Sequence, residues 1–182
     1  MNTMEAIAAR KSVRAYGPQP IEKRAMEAIV DAGQSAPNAG PFQITVIEKS
    51  GLLRRLSERA KAGMLNSGVE FLIERASLPG YDPIYGAPAL FLLSAPKDGP
   101  YGAANTSLAA ENMILAATEL GLGTCYLITP TLAFRGEGRA ELAAESGIPE
   151  GYEVLCAVAA GSPAGDAFVV PKKAKGQVNY VR

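Results

Sequence analysis

Apolar residues recur at helical spacing in six segments of the chain, with polar residues at the intervening positions. The longest segment, residues 103–120, is rich in small side chains and predicts a central, closely packed helix. Gly33 and Gly121 directly follow two of the segments and are predicted to end those helices. The predicted helices cover residues 3–9, 21–32, 52–62, 65–76, 103–120 and 138–146.

Four shorter apolar runs predict β-strands, at residues 42–48, 89–94, 124–128 and 154–160. Strands that alternate with helices occur in parallel doubly wound sheets as well as in α+β folds. No glycine-rich phosphate-binding fingerprint follows any of these strands. The glycine-containing loop at 161–165 comes after the last strand and opens no helix, so it is not predicted to bind a nucleotide.

The composition predicts one globular domain, residues 1–182, without a strongly charged surface. Lys and Arg together number 18, as do Asp and Glu, so the net charge is zero. We therefore expect no nucleic-acid partner and no membrane partner, and any anion site must be local. No apolar run approaches the roughly 20 residues of a membrane span. The N-terminus lacks the pattern of a signal peptide.

Histidine does not occur in the chain, which excludes an imidazole base, a Ser-His-Asp triad and a histidine-based zinc site. Cys125 and Cys156 both lie in apolar runs. They are predicted to be buried small residues rather than a disulfide or a metal-binding pair. Unpaired cysteines are typical of a reducing compartment, and the predicted location is therefore cytoplasmic.

The segment Arg10-Lys11-Ser12-Val13-Arg14 concentrates three cations and a hydroxyl directly after the first predicted helix. Guanidinium groups, a hydroxyl donor and free backbone N–H groups are the set that a phosphate monoester requires. Taken alone, the segment could equally be a solvated basic stretch, because short charge runs usually face water.

Four segments in order along the chain carry a resemblance to a known family. They are ARKSVR at 9–14, SAPNAGPFQ at 35–43, AAENMILAATELGLGTC at 109–125 and GYEVLCAVAAGSP at 151–163, followed by the tail PKKAKGQVNYVR. This pattern resembles the nitroreductase family of FMN-dependent flavoenzymes, in particular its short members. The resemblance covers essentially the whole chain.

The resemblance implies an α+β fold in which helices wrap a central, mostly antiparallel sheet. It also implies an intertwined homodimer with exchange of the C-terminal tail, and FMN sites built from both subunits. In such proteins the flavin accepts a hydride from NADH or NADPH at N5 and delivers it to a small-molecule acceptor, such as a nitroaromatic compound or a quinone. The reaction follows a ping-pong scheme, in which the cofactor rather than a protein residue carries the chemistry.

By match to the family motif, Arg10 and Ser12, with Lys11 beside them, are expected to hold the FMN phosphate or ribityl chain. Arg14 is expected near the pyrimidine end of the flavin ring, where a cation favours the anionic reduced form. Lys172 or Lys173 matches the tail cation that completes the phosphate site. For Ser12 an ordinary helix cap is the alternative, and for the tail lysines it is a solvated terminus.

Other matches concern the flavin ring and the subunit interface. Tyr126 and Leu127 match the segment that lines the ring near N5, although they could simply be core strand residues. Gln43 could be an amide at the dimer interface or a surface strand residue. The loop that reaches the flavin from the other subunit matches Pro37, Asn38 and Ala39.

One position departs from the family pattern. Pro41 stands where the family commonly has an asparagine that bonds the flavin, so a side-chain donor and a backbone N–H are both lost. Two alternatives therefore stay open beside a general reductase. One is a dedicated flavoenzyme for a specialised substrate (a dehalogenation or a dehydrogenation), with residues 63–88 acting as the substrate lid. The other is a flavin-binding protein without enzymatic activity.

Overall fold

Four antiparallel strands form one sheet at the centre of the computed structural model, which describes residues 1–164 and 176–182. The strands are β1 (Gln43–Ile47), β2 (Ala89–Pro96), β3 (Gly123–Leu127) and β4 (Tyr152–Gly161), in the spatial order β1-β2-β4-β3. All neighbouring pairs are antiparallel, which confirms the predicted sheet and excludes the parallel doubly wound alternative for these strands.

Helices cover both faces of this sheet. They are α1 (Thr3–Ala9), α2 (Lys23–Gln34), α3 (Ser50–Leu65), α4 (Glu70–Ser77), α5 (Gly102–Glu119) and α6 (Arg139–Glu145), with a 3-10 helix at Thr129–Phe134. The prediction that a helix runs through 65–76 was wrong at its start. The chain leaves α3 at Leu65 and turns at Gly68, whose φ of +71° is a left-handed conformation, before α4 begins at Glu70.

The side chains of β2 divide the core between the two faces, because successive residues of a strand point in opposite directions. Leu90 and Leu92 pack with residues of α3 and α6 on one face, hereafter the α3 face. Phe91 and Leu93 pack with residues of α2 and α5 on the other, hereafter the α2–α5 face. Every residue of β2 except Pro96 is buried, so this strand is central on both sides.

Gly33 was predicted to cap α2, and this prediction was wrong. Gly33 lies inside α2, which continues to Gln34 and is capped by Ser35. A Cβ atom at Gly33 would stand 2.7 Å from Cγ of Met113 on α5 and 2.8 Å from Cδ1 of Ile44. The glycine is therefore required by close helix packing and not by the conformation of a helix end.

Both cysteines are buried free thiols, as the sequence predicted. Asn112 of α5 donates its side-chain N–H to the Ala32 carbonyl oxygen at 3.1 Å and so satisfies the end of α2. Across the described residues, none of the helices has the length and apolar character needed to span a membrane. Of the predicted basic tail, the structure describes residues 176–182, which form no regular element and leave Val178 and Tyr180 exposed.

Candidate functional site

The cationic segment 10–14 lies along the open edge of β3. The Arg10 N–H closes α1 by donating to the Ala6 carbonyl oxygen at 2.9 Å. Ser12 then pairs with Thr124 in a parallel bridge, and the Val13 N–H donates to the Thr124 carbonyl oxygen at 2.8 Å. The Val13 side chain is buried, while Arg10, Ser12 and Arg14 remain partly accessible. The pairing with β3 therefore fixes the segment and leaves its polar groups available.

Tyr16 fastens the end of this segment to the sheet. Its hydroxyl donates to the Val13 carbonyl oxygen at 2.8 Å and lies 3.4 Å from that of Ala159 in β4. Burial is the main reason why the pKa of Tyr16 is raised well above its ordinary range, and the thiol of Cys125 adds to the rise. The side chain is thus a neutral hydrogen-bond donor at physiological pH.

The charges of three arginines act on the buried Cys125 thiol of β3. Burial raises the pKa of the Cys125 thiol, and the charge of Arg14 and a hydrogen bond with Ser12 oppose that rise. The charges of Arg75 and Arg10 act in the same direction and also lower the pKa of this thiol. Among the described residues, no carboxylate lies within ion-pair distance of any of the three guanidinium groups. The arrangement favours a bound anion.

A cleft of about 500 Å³ opens beside these cations, within the size range of small-ligand sites. Its walls are Arg14 and residues of the loop that follows α4, namely Leu78, Pro79, Gly80, Tyr81, Asp82, Tyr85 and Gly86. The Arg14 guanidinium stands 5.9 Å from the centre of the Tyr85 ring, in a cation–π arrangement. The lid region expected at 63–88 therefore contributes most of one wall.

A second cleft, of about 520 Å³, lies between Pro18 and Pro20, the start of α3 and residues 82–88. None of the predicted flavin-binding residues lines it. We therefore place the candidate site at the first cleft, where the cations are.

The loop 35–41 is held by a residue that the sequence analysis missed, Asn105 of α5. Its Oδ1 atom accepts from the Ala39 N–H at 3.0 Å, and its Nδ2 atom donates to the Gly40 carbonyl oxygen at 3.3 Å. Asn105 is 3% exposed, whereas Pro37, Asn38 and Ala39 are all exposed. This anchoring presents the loop to its surroundings without burying it. An amide near the start of an alanine-rich helix was the available signal.

Gln43 lies in β1, the opposite edge of the sheet from Ser12 on β3. With strands about 4.8 Å apart, the two edges are separated by roughly 14 Å. The Gln43 amide donates to the Gly147 carbonyl oxygen at 2.7 Å and to Oγ1 of Thr45 at 2.8 Å. Gln43 is thus tied to the end of α6 and is not brought together with the cationic segment of the same chain.

Tyr126 and Leu127 are adjacent in β3, and their side chains differ in exposure. The Tyr126 ring is 39% exposed, and its hydroxyl lies 3.3 Å from Oγ of Ser107 on α5. Leu127 is 7% exposed and belongs to the core of the α3 face. Tyr126 is therefore accessible to a ligand through its side chain, and Leu127 offers little side-chain surface. Lys172 and Lys173 lie outside the described residues.

The sequence analysis missed Tyr85, which lines the cleft, and Arg75 on α4, which contacts it. Arg75 donates from Nη2 to the Tyr85 hydroxyl at 3.1 Å. Both are far in sequence from Arg14, and neither belongs to a segment with a recognised motif. The signal that could have suggested them is the clustering of Arg75, Tyr81 and Tyr85 within a turn-rich stretch.

The fold is α+β, and cations without carboxylate partners among the described residues lie at the edge of its antiparallel sheet. Comparison with known proteins gives the family: the model described as "Nitroreductase family" matches residues 7–162. The chain belongs to the nitroreductase family.

Individual relatives resemble the chain over most of its length. The NADPH-flavin oxidoreductase of Vibrio harveyi is 27% identical over 180 residues, which cover 94% of this chain and 70% of that protein. A nitroreductase of Bacteroides fragilis, solved with bound FMN, is 30% identical with a TM-score of 0.90 and complete coverage of both chains. An FMN-bound nitroreductase of Desulfitobacterium hafniense is 26% identical with a TM-score of 0.83, again over both whole chains.

Proposed function

We propose that this protein is an FMN-dependent NAD(P)H oxidoreductase that reduces nitroaromatic compounds, quinones or similar conjugated acceptors. The observation that carries the proposal is the segment 10–14, held on β3 with its cations free of carboxylate partners among the described residues. Family membership and the FMN-bound relatives support the assignment.

The residues present fit a phosphate-bearing cofactor. Arg10, Lys11 and Ser12 supply charge and a hydroxyl donor at the edge of β3, and we assign them to the FMN phosphate and ribityl chain. Arg14, against the Tyr85 ring, would place a positive charge at the pyrimidine end of the flavin. The chemistry that FMN supplies when bound is hydride transfer through its N5 atom, from NADH or NADPH to the acceptor.

The protein's own groups position and surround the reactants in this scheme. Tyr126 is exposed beside α5, on the face of the sheet opposite the cleft, so a flat ring against it would lie outside the cleft walls. Tyr85 and Tyr81 give the cleft aromatic walls suited to a conjugated acceptor. Because no imidazole base is available anywhere in the sequence, acid–base help from the protein would be limited to groups such as phenols and water.

We further propose that the working unit is a homodimer in which each site draws on both chains. Gln43 lies at the far edge of the sheet from segment 10–14 of the same chain, and loop 35–41 is exposed on its anchor at Asn105, as a shared site requires. Apolar side chains are exposed on α1, α5 and the end of β3, including Met4, Leu108 and Ile128. A tail that crosses to the partner, with Lys172 or Lys173 at the phosphate, would complete each site.

The test is a visible absorption spectrum of purified protein, recorded before and after anaerobic addition of NADH and then NADPH. We expect flavin bands that bleach with at least one nucleotide. A flavin spectrum that neither nucleotide bleaches would favour a dedicated enzyme with another reductant, or a non-enzymatic binder. Absence of flavin, even after FMN is added, would contradict the proposal. A separate light-scattering measurement should give twice the chain mass of 19.0 kDa, and a monomer mass would contradict the shared site.

A further inference from the structure

Arg14, Tyr81 and Tyr85 line one corner of the cleft, and Arg75 contacts both tyrosines from α4. The Arg75 guanidinium donates to the Tyr85 hydroxyl at 3.1 Å and stands 5.4 Å from the centre of the Tyr81 ring. The two tyrosine rings meet edge to face, with centres 6.2 Å apart. Arg14 stands over the other ring, 5.9 Å from the centre of Tyr85. Two guanidinium groups thus share a single tyrosine.

The positive charges of Arg14 and Arg75 have no acidic partner within ion-pair distance among the described residues. Asp82 is the acidic residue in the cleft wall. Its carboxylate accepts from the N–H groups of Ile84 at 2.9 Å and Gly86 at 2.6 Å, and from the Ser57 hydroxyl. Asp82 therefore stabilises its own loop, and the two cations are left for a ligand.

The backbone of Tyr85 has an uncommon conformation that fixes the position of its ring. Tyr85 has a φ of +58°, a left-handed conformation that non-glycine residues adopt uncommonly and at a cost. The Asp82 hydrogen bonds on either side of it, and the Arg75 bond to its hydroxyl, hold this conformation. The result is that the Tyr85 ring stands in the cleft wall between two guanidinium groups.

We propose that Arg75, held by its hydrogen bond to Tyr85, recognises an anionic group carried by the acceptor itself, namely a carboxylate or phenolate on a flat conjugated ring. This inference rests on the proposed function, because it assigns a substrate class to the same cleft. A guanidinium fork matches a carboxylate with paired, charge-assisted hydrogen bonds. The tyrosine rings provide apolar faces for the aromatic body of the ligand. Arg75 is then a specificity-determining residue rather than part of the phosphate site, which the segment 10–12 serves.

The experiment compares two acceptors that share a nitrobenzene ring, para-nitrobenzoate with its carboxylate and para-nitrobenzyl alcohol without a charge. In the FMN-loaded protein, KM and kcat are measured for both acceptors, and calorimetry gives their Kd without turnover. We expect Arg75→Gln to raise KM and Kd for the benzoate by roughly tenfold to a hundredfold, the scale of a lost charge-assisted hydrogen bond. The values for the alcohol should stay within about twofold, as they should for both acceptors in the control Arg24→Gln, whose side chain is exposed on α2.

Two further variants separate recognition from simple loss of structure. Arg75→Lys keeps the charge and should restore part of the benzoate affinity, while Tyr85→Phe keeps the ring and removes the hydroxyl that orients Arg75. Equal losses for both acceptors would overturn the inference, as would a raised KM confined to NADPH or a weakened FMN Kd. If wild-type protein turned over neither acceptor yet bound the benzoate through Arg75, the proposed function would fail and the anion site would stand.

Discussion

The two faces of the central sheet have different tasks. On the α2–α5 face, Phe91 and Met113 are fully buried, and Gly33 allows α2 to approach α5 closely. On the α3 face, the core gives way beside β3 to a cleft bordered by Arg14 and Tyr85. Both faces contribute buried residues to the core, and the cleft interrupts the packing only on the α3 face. The second face keeps charged groups unpaired, which a stable core would not tolerate but a binding site requires. Substitutions should therefore cost stability on the α2–α5 face and ligand affinity at the cleft of the α3 face.

The largest effect is expected from Phe91→Ala on the α2–α5 face. Removing this fully buried ring should lower the free energy of unfolding by about 3–5 kcal/mol, as lost burial and a residual cavity both contribute. Urea titration followed by circular dichroism measures the change. The control is Phe71→Ala on α4, whose ring is exposed and should matter by no more than about 0.5 kcal/mol. If both variants lost the same free energy of unfolding, Phe91 would not be a core residue of the α2–α5 face.

Arg10→Ala tests the cationic segment 10–14, and the expected effect is on the affinity for FMN and not on stability. We expect the loss of about 2–3 kcal/mol of FMN binding free energy, the scale of a charge-assisted pair with a phosphate. The unfolding free energy of the cofactor-free protein should stay within about 0.5 kcal/mol, because Arg10 is partly exposed. Fluorescence titration with FMN measures the affinity, and Arg24→Ala serves as the control. An unchanged affinity for Arg10→Ala would refute its assignment to the phosphate.

Gly33→Ala tests how tightly the α2–α5 face is packed. The new methyl group would meet Met113 and Ile44 at under 3 Å, so we expect a loss of about 1–3 kcal/mol in stability. The matched control is Gly51→Ala in α3, where nothing lies within 4 Å of the added Cβ. That change should be neutral or stabilising by up to about 1 kcal/mol, since alanine is the better helix former. Thermal unfolding of both variants gives the contrast, and similar shifts in Tm would disprove close packing at Gly33.

The smallest effect concerns Tyr16, which fastens the cationic segment to β4. Tyr16→Phe removes the hydrogen bond to the Val13 carbonyl and should cost about 1 kcal/mol at neutral pH. Because burial raises the folded-state pKa of Tyr16, its proton is held more tightly in the folded than in the unfolded protein. Its contribution is complete below the unfolded pKa of about 10 and declines as the pH rises above that value. Between pH 8 and about 11, the free energy of unfolding should therefore fall more steeply with pH for wild type than for the variant. Parallel curves would contradict the burial of this phenol.

Much of the architecture could be predicted because buried helices and strands require apolar residues at a regular spacing in the sequence. The run at 89–94 is apolar throughout, and β2 is indeed covered on both faces. The long alanine-rich segment became α5, whose small residues permit close packing against α2. The break between α3 and α4 was predicted at 63–64 but lies at 66–69, because apolar spacing continues past the point where Gly68 turns the chain out of the helix. Local spacing cannot tell a helical glycine from one in a left-handed turn.

For the site, the sequence by itself identified those candidate residues that are close together in one segment of the chain. Arg10, Ser12 and Arg14 are close together in the chain, so phosphate binding could be predicted from their residue types before their position was known. Only the tertiary structure placed Arg75 and Tyr85 beside Arg14, since they come from α4 and the following loop, about 60 to 70 residues further along the chain. Likewise, only the fold showed that Asn105 anchors loop 35–41 and that Gln43 lies at the far edge of the sheet. Residue types determine which chemistry is available, but long-range packing decides which of those groups share a surface, and that packing leaves no local signature in the sequence.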